Sequence, residues 1–273
     1  MAVPTLFDQQ ASGDSTERAY WLARACDLAY KERPVIEAQA TTWGFSRVRH
    51  HETAFTPPFP LQDTQAYTMA GPRMVVTAFR GTEPAQIKDW LTDASTPSAP
   101  GPAGIGYVHY GFAEALASIL PTVHTAIEEL RTDGQRVYFT GHSLGGALAM
   151  LAAAHMSLED PQLAADGVYT YGQPRTCDRL LAAAYNKGLK DRVFRFVNNN
   201  DIVPTLPPEP AFTHVAALRY LDHTGKLHTA TSMLAGLKDK AAGLTADAFA
   251  PASDGIRDHF MASYLTALEK NLS

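Results

Sequence analysis

The sequence predicts an α/β fold, with a central, mostly parallel sheet covered by helices on both faces. Three observations carry that reading. Short β-branched and aromatic runs alternate along the chain with longer helical patterns, which is the order of a parallel sheet with crossover helices. Two of the runs, Met74–Phe79 and Arg136–Thr140, are apolar almost without a break, as strands buried on both faces must be. The 273 residues, 45% hydrophobic and 19% charged, suffice for one large domain with a full core, and no repeat or low-complexity linker divides them. We therefore expect a single domain over residues 1–273.

In chain order, Asp14-Ser15-Thr16-Glu17 reads as a helix N-cap with an acidic residue three positions on. Ala19, Leu22, Cys26, Ala29 and Tyr30 then share one helical face, and Pro34 is expected to end that region. Trp43 to His50 and Gln65 to Thr68 read as strands separated by the Pro-rich loop 56–60. Gly71-Pro72 turns the chain into the buried strand Met74–Phe79, followed by Arg80-Gly81-Thr82-Glu83 and a loop dense in Pro, Gly and Ala up to Gly106. Within that loop Ile87, Trp90, Leu91 and Ala94 fall at helical spacing, so a short helix with one apolar face is expected there, placed to act as a lid. Leu116, Ile119, Leu120, Val123, Ile127 and Leu130 form the stripe of the next helix, which Pro121 should kink. After Arg136–Thr140 come a helix from Leu144 to Met156, a strand Gly167–Tyr171, a helix Arg179–Tyr185 and a strand Val193–Val197. Val215–Leu221 and Lys226–His228 suggest a hairpin, Met233–Phe249 a weakly amphipathic helix, and Met261, Tyr264, Leu265 and Leu268 one face of a last helix.

The element that organises the chain is Gly141-His142-Ser143-Leu144-Gly145, lying between strand and helix. A serine in such a turn is held strained with its Oγ exposed, and the helix start adds free N–H groups and the positive dipole end beside it. This suits a nucleophile that will carry an oxyanion. A serine alcohol needs a base, and the base needs an orienting acid. In α/β-hydrolases, which such an elbow resembles, the order along the chain is serine, acid, histidine. That order leaves His214, His223, His228 and His259. The first three belong to the expected hairpin, whereas His259 lies before the last helix after a Ser253-Asp254-Gly255 turn, so it is the expected base. Asp201, in the short polar turn after Val193–Val197, is the expected acid. Asp222 looks like hairpin-turn chemistry, and Asp258 is too close in sequence to orient its neighbour.

These segments together resemble the class 3 lipase family, the α/β-hydrolases of the filamentous fungal triacylglycerol lipases. The resemblance runs through Phe79-Arg80-Gly81-Thr82, Asp89-Trp90-Leu91-Thr92-Asp93, Val108-His109-Tyr110-Gly111-Phe112 and the Ser143 elbow. It continues in Tyr171-Gly172-Gln173-Pro174-Arg175, Arg195-Phe196-Val197-Asn198, Asp201-Ile202-Val203-Pro204 and Asp258-His259. It implies an α/β-hydrolase fold with a short helical lid (Ile87, Trp90, Leu91), a triad of Ser143, Asp201 and His259, and an oxyanion position at Thr82. The N–H of Leu144 would be the second oxyanion donor. Asp93 would hold the Thr82 hydroxyl, His109 and His142 would be structural neighbours of the site, and the Gly172-Gln173-Pro174 turn would shape the wall of the cleft without doing chemistry. The implied activity is carboxylic ester hydrolysis on lipid esters at an oil–water or membrane surface. Phospholipase A1, monoacylglycerol lipase and feruloyl esterase are alternatives on the same fold, and an inactive hydrolase-like binding protein is a remote one. No cofactor and no metal are expected.

With a net charge of −5 and no basic cluster, nucleic acid is not an expected partner. No stretch of 18 apolar residues is present, so no transmembrane segment is expected. Met1 to Asp14 does not read as a secretory signal, and two cysteines do not make a disulfide scaffold. Both point to a cytoplasmic location, with a secreted form whose signal has been trimmed as the alternative.

Overall fold

The computed structural model describes residues 7–9, 15–54, 63–81, 97–132, 134–229 and 252–272. Among them eight strands form one sheet in the order β1-β2-β3-β6-β7-β8-β9-β10. These strands are β1 Arg47–Ala54, β2 Asp63–Ala70, β3 Met74–Phe79, β6 Arg136–His142, β7 Gly167–Tyr171, β8 Val193–Asn198, β9 Leu218–Leu221 and β10 Leu227–Thr229. From β3 through β9 every neighbouring pair is parallel, while β1, β2 and β10 join antiparallel at the edges. The apolar runs at β3 and β6 occupy the middle, where helices cover both faces, so neither face of those strands needs polar side chains.

One face packs on α3 Tyr110–Leu130, α4 Leu144–Glu159 and α5 Arg179–Leu189. The other packs on α1 Thr16–Leu28, α2 Arg33–Thr42 and α7 Met261–Glu269, with Trp21, Trp43, Phe45 and Tyr138 in that core. Helix α4 is Ala- and Leu-rich around most of its circumference, and eleven of its sixteen residues are buried. Helices on both faces and a parallel centre bear out the expected architecture.

Several local expectations are revised. Pro34 does not end the N-terminal helical region. It stands in the first turn of α2, where its missing N–H has no intrahelical acceptor to lose. Trp43 is accordingly the C-cap of α2, and β1 begins at Arg47. Within the expected capping stretch, the Ser15 side chain accepts the N–H of Arg18 and caps α1. Pro121 does lie inside its helix as expected, with α3 running on to Leu130. In the Pro/Gly-rich loop, β4 Ser98–Pro100 pairs antiparallel with β5 Tyr107–His109 as a second small sheet. The hairpin is shorter than expected, with Leu227 opposite Leu221. Thr82, the expected lid at Ile87, Trp90 and Leu91, Asp93, and the expected helix Met233–Phe249 lie outside the described residues.

Candidate active site

At the C-terminal ends of the central strands, β6 ends at His142 and α4 begins at Leu144. Ser143 lies between them with φ 58° and ψ −128°. A left-handed backbone is costly for a residue with a Cβ, so the surroundings must enforce it. They do so by close packing: a Cβ on Gly141 would come within 2.0 Å of the Gly145 carbonyl, and one on Gly145 within 2.2 Å of the Phe79 carbonyl. The Ser143 N–H donates to Tyr171 O at 2.9 Å, which ties the turn to β7. Leu144 is the first residue of α4, so its N–H has no acceptor inside the helix. A Cβ on Gly81 would lie 3.2 Å from Ser143 Cβ, so the chain leaving β3 passes directly beside the serine.

Ser143 Oγ lies 2.8 Å from His259 Nε2, and His259 Nδ1 lies 2.9 Å from both oxygens of Asp201. A carboxylate can only accept, so Nδ1 carries the hydrogen and the Nε2 lone pair faces the serine hydroxyl. Ser143 and Asp201 are each 4% exposed and His259 is fully buried. The three residues come from the β6–α4 elbow, from the turn after β8, and from α6 Ala252–His259. His259 is the last residue of α6, not a loop residue, and Phe260 immediately caps α7.

Asp201 is held by more than His259. The Val203 N–H donates to Oδ1 at 2.9 Å and the Tyr264 hydroxyl to Oδ2 at 2.6 Å. Tyr264 Oη in turn accepts the Asn198 N–H at 3.0 Å. Asp258 acts behind the site: its Oδ2 accepts from Asn199 Nδ2 and the Asn200 N–H, and its carbonyl accepts from Asn198 Nδ2. This ties α6 to the turn that carries the acid.

His142 is also part of this framework. Its Nε2 is 2.7 Å from the His259 carbonyl, which only accepts, so Nε2 carries the hydrogen and Nδ1 accepts from the Tyr30 hydroxyl at 2.8 Å. Burial, and then the neighbouring His259, push the His142 pKa well below the ordinary range, so this ring stays neutral. Its centroid lies 4.6 Å from that of His259.

Residues 76–211 match the model of the class 3 lipases. The chain belongs to the class 3 lipase family. A lipase from Rhizomucor miehei is 33% identical over 156 residues, 54% of this chain and 42% of that protein. A triacylglycerol lipase, OBL1, from Arabidopsis thaliana is 33% identical over 178 residues, 49% of this chain and 34% of that protein. The chain thus spans less than half the length of these relatives. Among solved structures, the native Rhizomucor miehei lipase propeptide complex superposes with a TM-score of 0.62 at 23% identity, covering 80% of this chain and 72% of that one. The fold is that of the α/β-hydrolase lipases.

The matched span, residues 76–211, ends before His259, so the family match does not reach that histidine. The other histidines considered fall elsewhere. His228 Nε2 pairs with Asp222 at 2.7 Å in the hairpin, and His214 Nε2 donates to the Pro204 carbonyl. His109 stacks on Phe112, with centroids 4.1 Å apart. Gln173 is buried and accepts from Thr170 while donating to Thr176, so it braces the turn after β7.

Sequence reasoning passed over two neighbours of the site, Tyr264 and Tyr30, and gave Gly172 only a place in a turn shaping the cleft wall, without its need for a missing Cβ. Gly172 has φ +60°, and a Cβ there would lie 2.8 Å from Asp201 Oδ2 and from His259 Cε1 and Nδ1. Its place between a strand end and Gln-Pro was the one available signal. Tyr264 read as an apolar helix face, and nothing local distinguished it.

The cytoplasmic location is corrected. Relatives that this chain matches include secreted mono- and diacylglycerol lipases, one from Fusarium solani at 32% identity over 138 residues and one from Malassezia globosa at 31% over 113. The cysteine argument fails because a body of this size is held by its cores and needs no disulfide in any compartment. Cys26 and Cys177 are both free and buried, and burial pushes both thiols up, that of Cys177 to about 12.

Proposed function

We propose that this chain is a carboxylic ester hydrolase acting on lipid esters, with Ser143 as nucleophile, His259 as general base and Asp201 as its orienting acid. The observation that carries the reading is the unbroken hydrogen-bonded series Ser143 Oγ, His259 Nε2, His259 Nδ1, Asp201, at 2.8 and 2.9 Å, on a serine with φ 58°. Ser143 Oγ attacks the ester carbonyl as His259 Nε2 takes its proton. Asp201 then faces an imidazolium and stabilises it without taking the proton. The oxyanion forms against the Leu144 N–H, with Thr82 as the second donor in this reading. The imidazolium returns its proton to the departing alcohol, leaving an acyl-serine. Water, deprotonated by His259, releases the acid.

Lipid esters are favoured because the relatives are described as triacylglycerol or mono- and diacylglycerol lipases. The low exposure of Ser143 supports a covered site, with the apolar face of Ile87, Trp90 and Leu91 as the proposed cover at an oil–water or membrane surface. Among the described residues no helix is long and apolar enough to cross a membrane. A panel of p-nitrophenyl and glycerol esters, from acetyl to stearoyl, tests the reading. Turnover of long-chain glycerol esters that vanishes in Ser143→Ala is expected. Residual turnover at the wild-type rate in that variant would sink it.

A further inference from the structure

Behind the turn that carries Asp201 sits a buried positive cluster that the proposed reaction does not use. Arg195, in β8, is 8% exposed, and its Nε is sealed from solvent without a hydrogen-bond partner. Its neighbours across the sheet are Thr170 on β7 and Leu218 on β9. Thr170 spends its hydroxyl hydrogen on Gln173, and Leu218 has nothing polar to offer. Among the described residues no carboxylate pairs with Arg195. Burial draws its pKa down to about 10, so it remains charged at neutral pH.

Two further side chains adjoin it. Arg175 Nη1 donates to the carbonyls of Thr205 and Pro207, while its buried Nε has no hydrogen-bond partner. The carboxylate of half-exposed Glu209 stands 3.8 Å from that Nε, an ion-pair distance on the rim. His214 donates from Nε2 to Pro204 O at 2.7 Å, and its buried Nδ1 also has no partner. Burial, and then the charge of Arg195, push the His214 pKa well below its usual range. Arg175 and His214 therefore converge on residues 204–207, immediately after Asp201, beside Arg195.

A buried guanidinium without a counter-charge is expensive, and removing it from water is offset only by hydrogen bonds and opposite charge. A guanidinium fork matches the paired oxygens of a carboxylate or phosphate. We propose that the Arg195–Arg175 cluster binds a small oxyanion, a carboxylate or phosphate group, and that its occupancy braces the turn bearing Asp201. The proposal stands apart from ester hydrolysis, since its readout is unfolding.

The test is thermal unfolding in a zwitterionic buffer, titrating sodium acetate and sodium phosphate separately into wild type, Arg195→Met and Leu218→Glu. Wild type should show a saturable rise in Tm, on the order of 5 °C at a hundredfold excess over Kd. Arg195→Met removes the charge at similar length and should lose the saturable rise. Leu218→Glu keeps Arg195 but places a carboxylate on the neighbouring strand, so it should also lose the rise while starting from a higher Tm. The anion that saturates at lower concentration identifies the source as a carboxylic acid or a phosphate, and equal response to both supports the shared chemistry. An equal rise in all three proteins would be a general salt effect and would overturn the site, as would a flat wild-type curve. If Arg195→Met does not fold, Leu218→Glu decides alone: an undiminished response there overturns the proposal.

Discussion

Gly172→Ala is the sharpest probe of how the base is held. The backbone there has φ +60°, so an L side chain costs about 1–2 kcal/mol of stability through strain alone. The new methyl would also stand 2.8 Å from Asp201 Oδ2 and from His259 Cε1 and Nδ1, where ordinary contact begins near about 3.5 Å. Either the imidazole or the acid must give way by roughly 0.7 Å, the difference between those distances. The 2.8 Å approach of His259 Nε2 to Ser143 Oγ cannot survive such a shift unchanged. A misplacement of about 1 Å at reacting groups costs on the order of 10²-fold, so a kcat lowered by roughly 10- to 100-fold is expected. KM for a small soluble ester should hardly move. Gly134→Ala is the control: its φ is +80° but nothing lies within 4 Å of the added Cβ, so it introduces the strain without the collision. Steady-state kinetics on a p-nitrophenyl ester, with Tm for each variant, separate the two. Similar losses of Tm with kcat lost only in Gly172→Ala are expected. A wild-type kcat in Gly172→Ala, or an equal loss in Gly134→Ala, would refute the steric argument.

Single replacements Ser143→Ala, Asp201→Asn and His259→Ala should each lower kcat by about 10⁴-fold or more while circular dichroism stays native, because triad members act as a unit; a His259→Ala variant near the wild-type rate would remove the base assignment. Tyr264→Phe deletes a hydrogen bond to a carboxylate and leaves the buried Asn198 N–H without its acceptor, so urea unfolding should show a loss of about 1.5–3 kcal/mol, and a change below about 0.5 would mean the hydroxyl holds nothing. Stability should also fall as pH drops below about 6.5: burial lowers the His51 pKa to about 4, so between those values the unfolded chain binds a proton that the folded one refuses. His142 and His214 are shifted in the same direction, and replacing His51 by Gln should make the slope of unfolding free energy shallower by up to about 1.4 kcal/mol per pH unit, whereas an unchanged slope would show that His51 is not the group responsible.

What the sequence determined by itself was what local chemistry writes into neighbouring residues. The β6–Ser143–α4 elbow was legible because a strand, a tight turn and a helix must follow one another within a few residues, and only glycine fits at Gly141 and Gly145. Asp201 was legible from its polar turn and from serine–acid–histidine order. The alternation of runs and helical patterns sufficed for a parallel sheet with two covered faces. Tertiary structure decided whatever depends on residues far apart in the chain. Pro34 suits the first turn of a helix as well as the stretch after one, and the structure places it at the start of α2. That His259 reaches Ser143 across 116 positions, that Tyr264 holds Asp201 from the following helix, and that the His259 carbonyl fixes the tautomer of His142 while Tyr30 donates to its other nitrogen are consequences of docking α1, α6 and α7 against the strand ends. Gly172 shows the division most directly. Its sequence context announces only a turn, and the need for a missing Cβ arises from two side chains that other parts of the chain bring to within 2.8 Å of it.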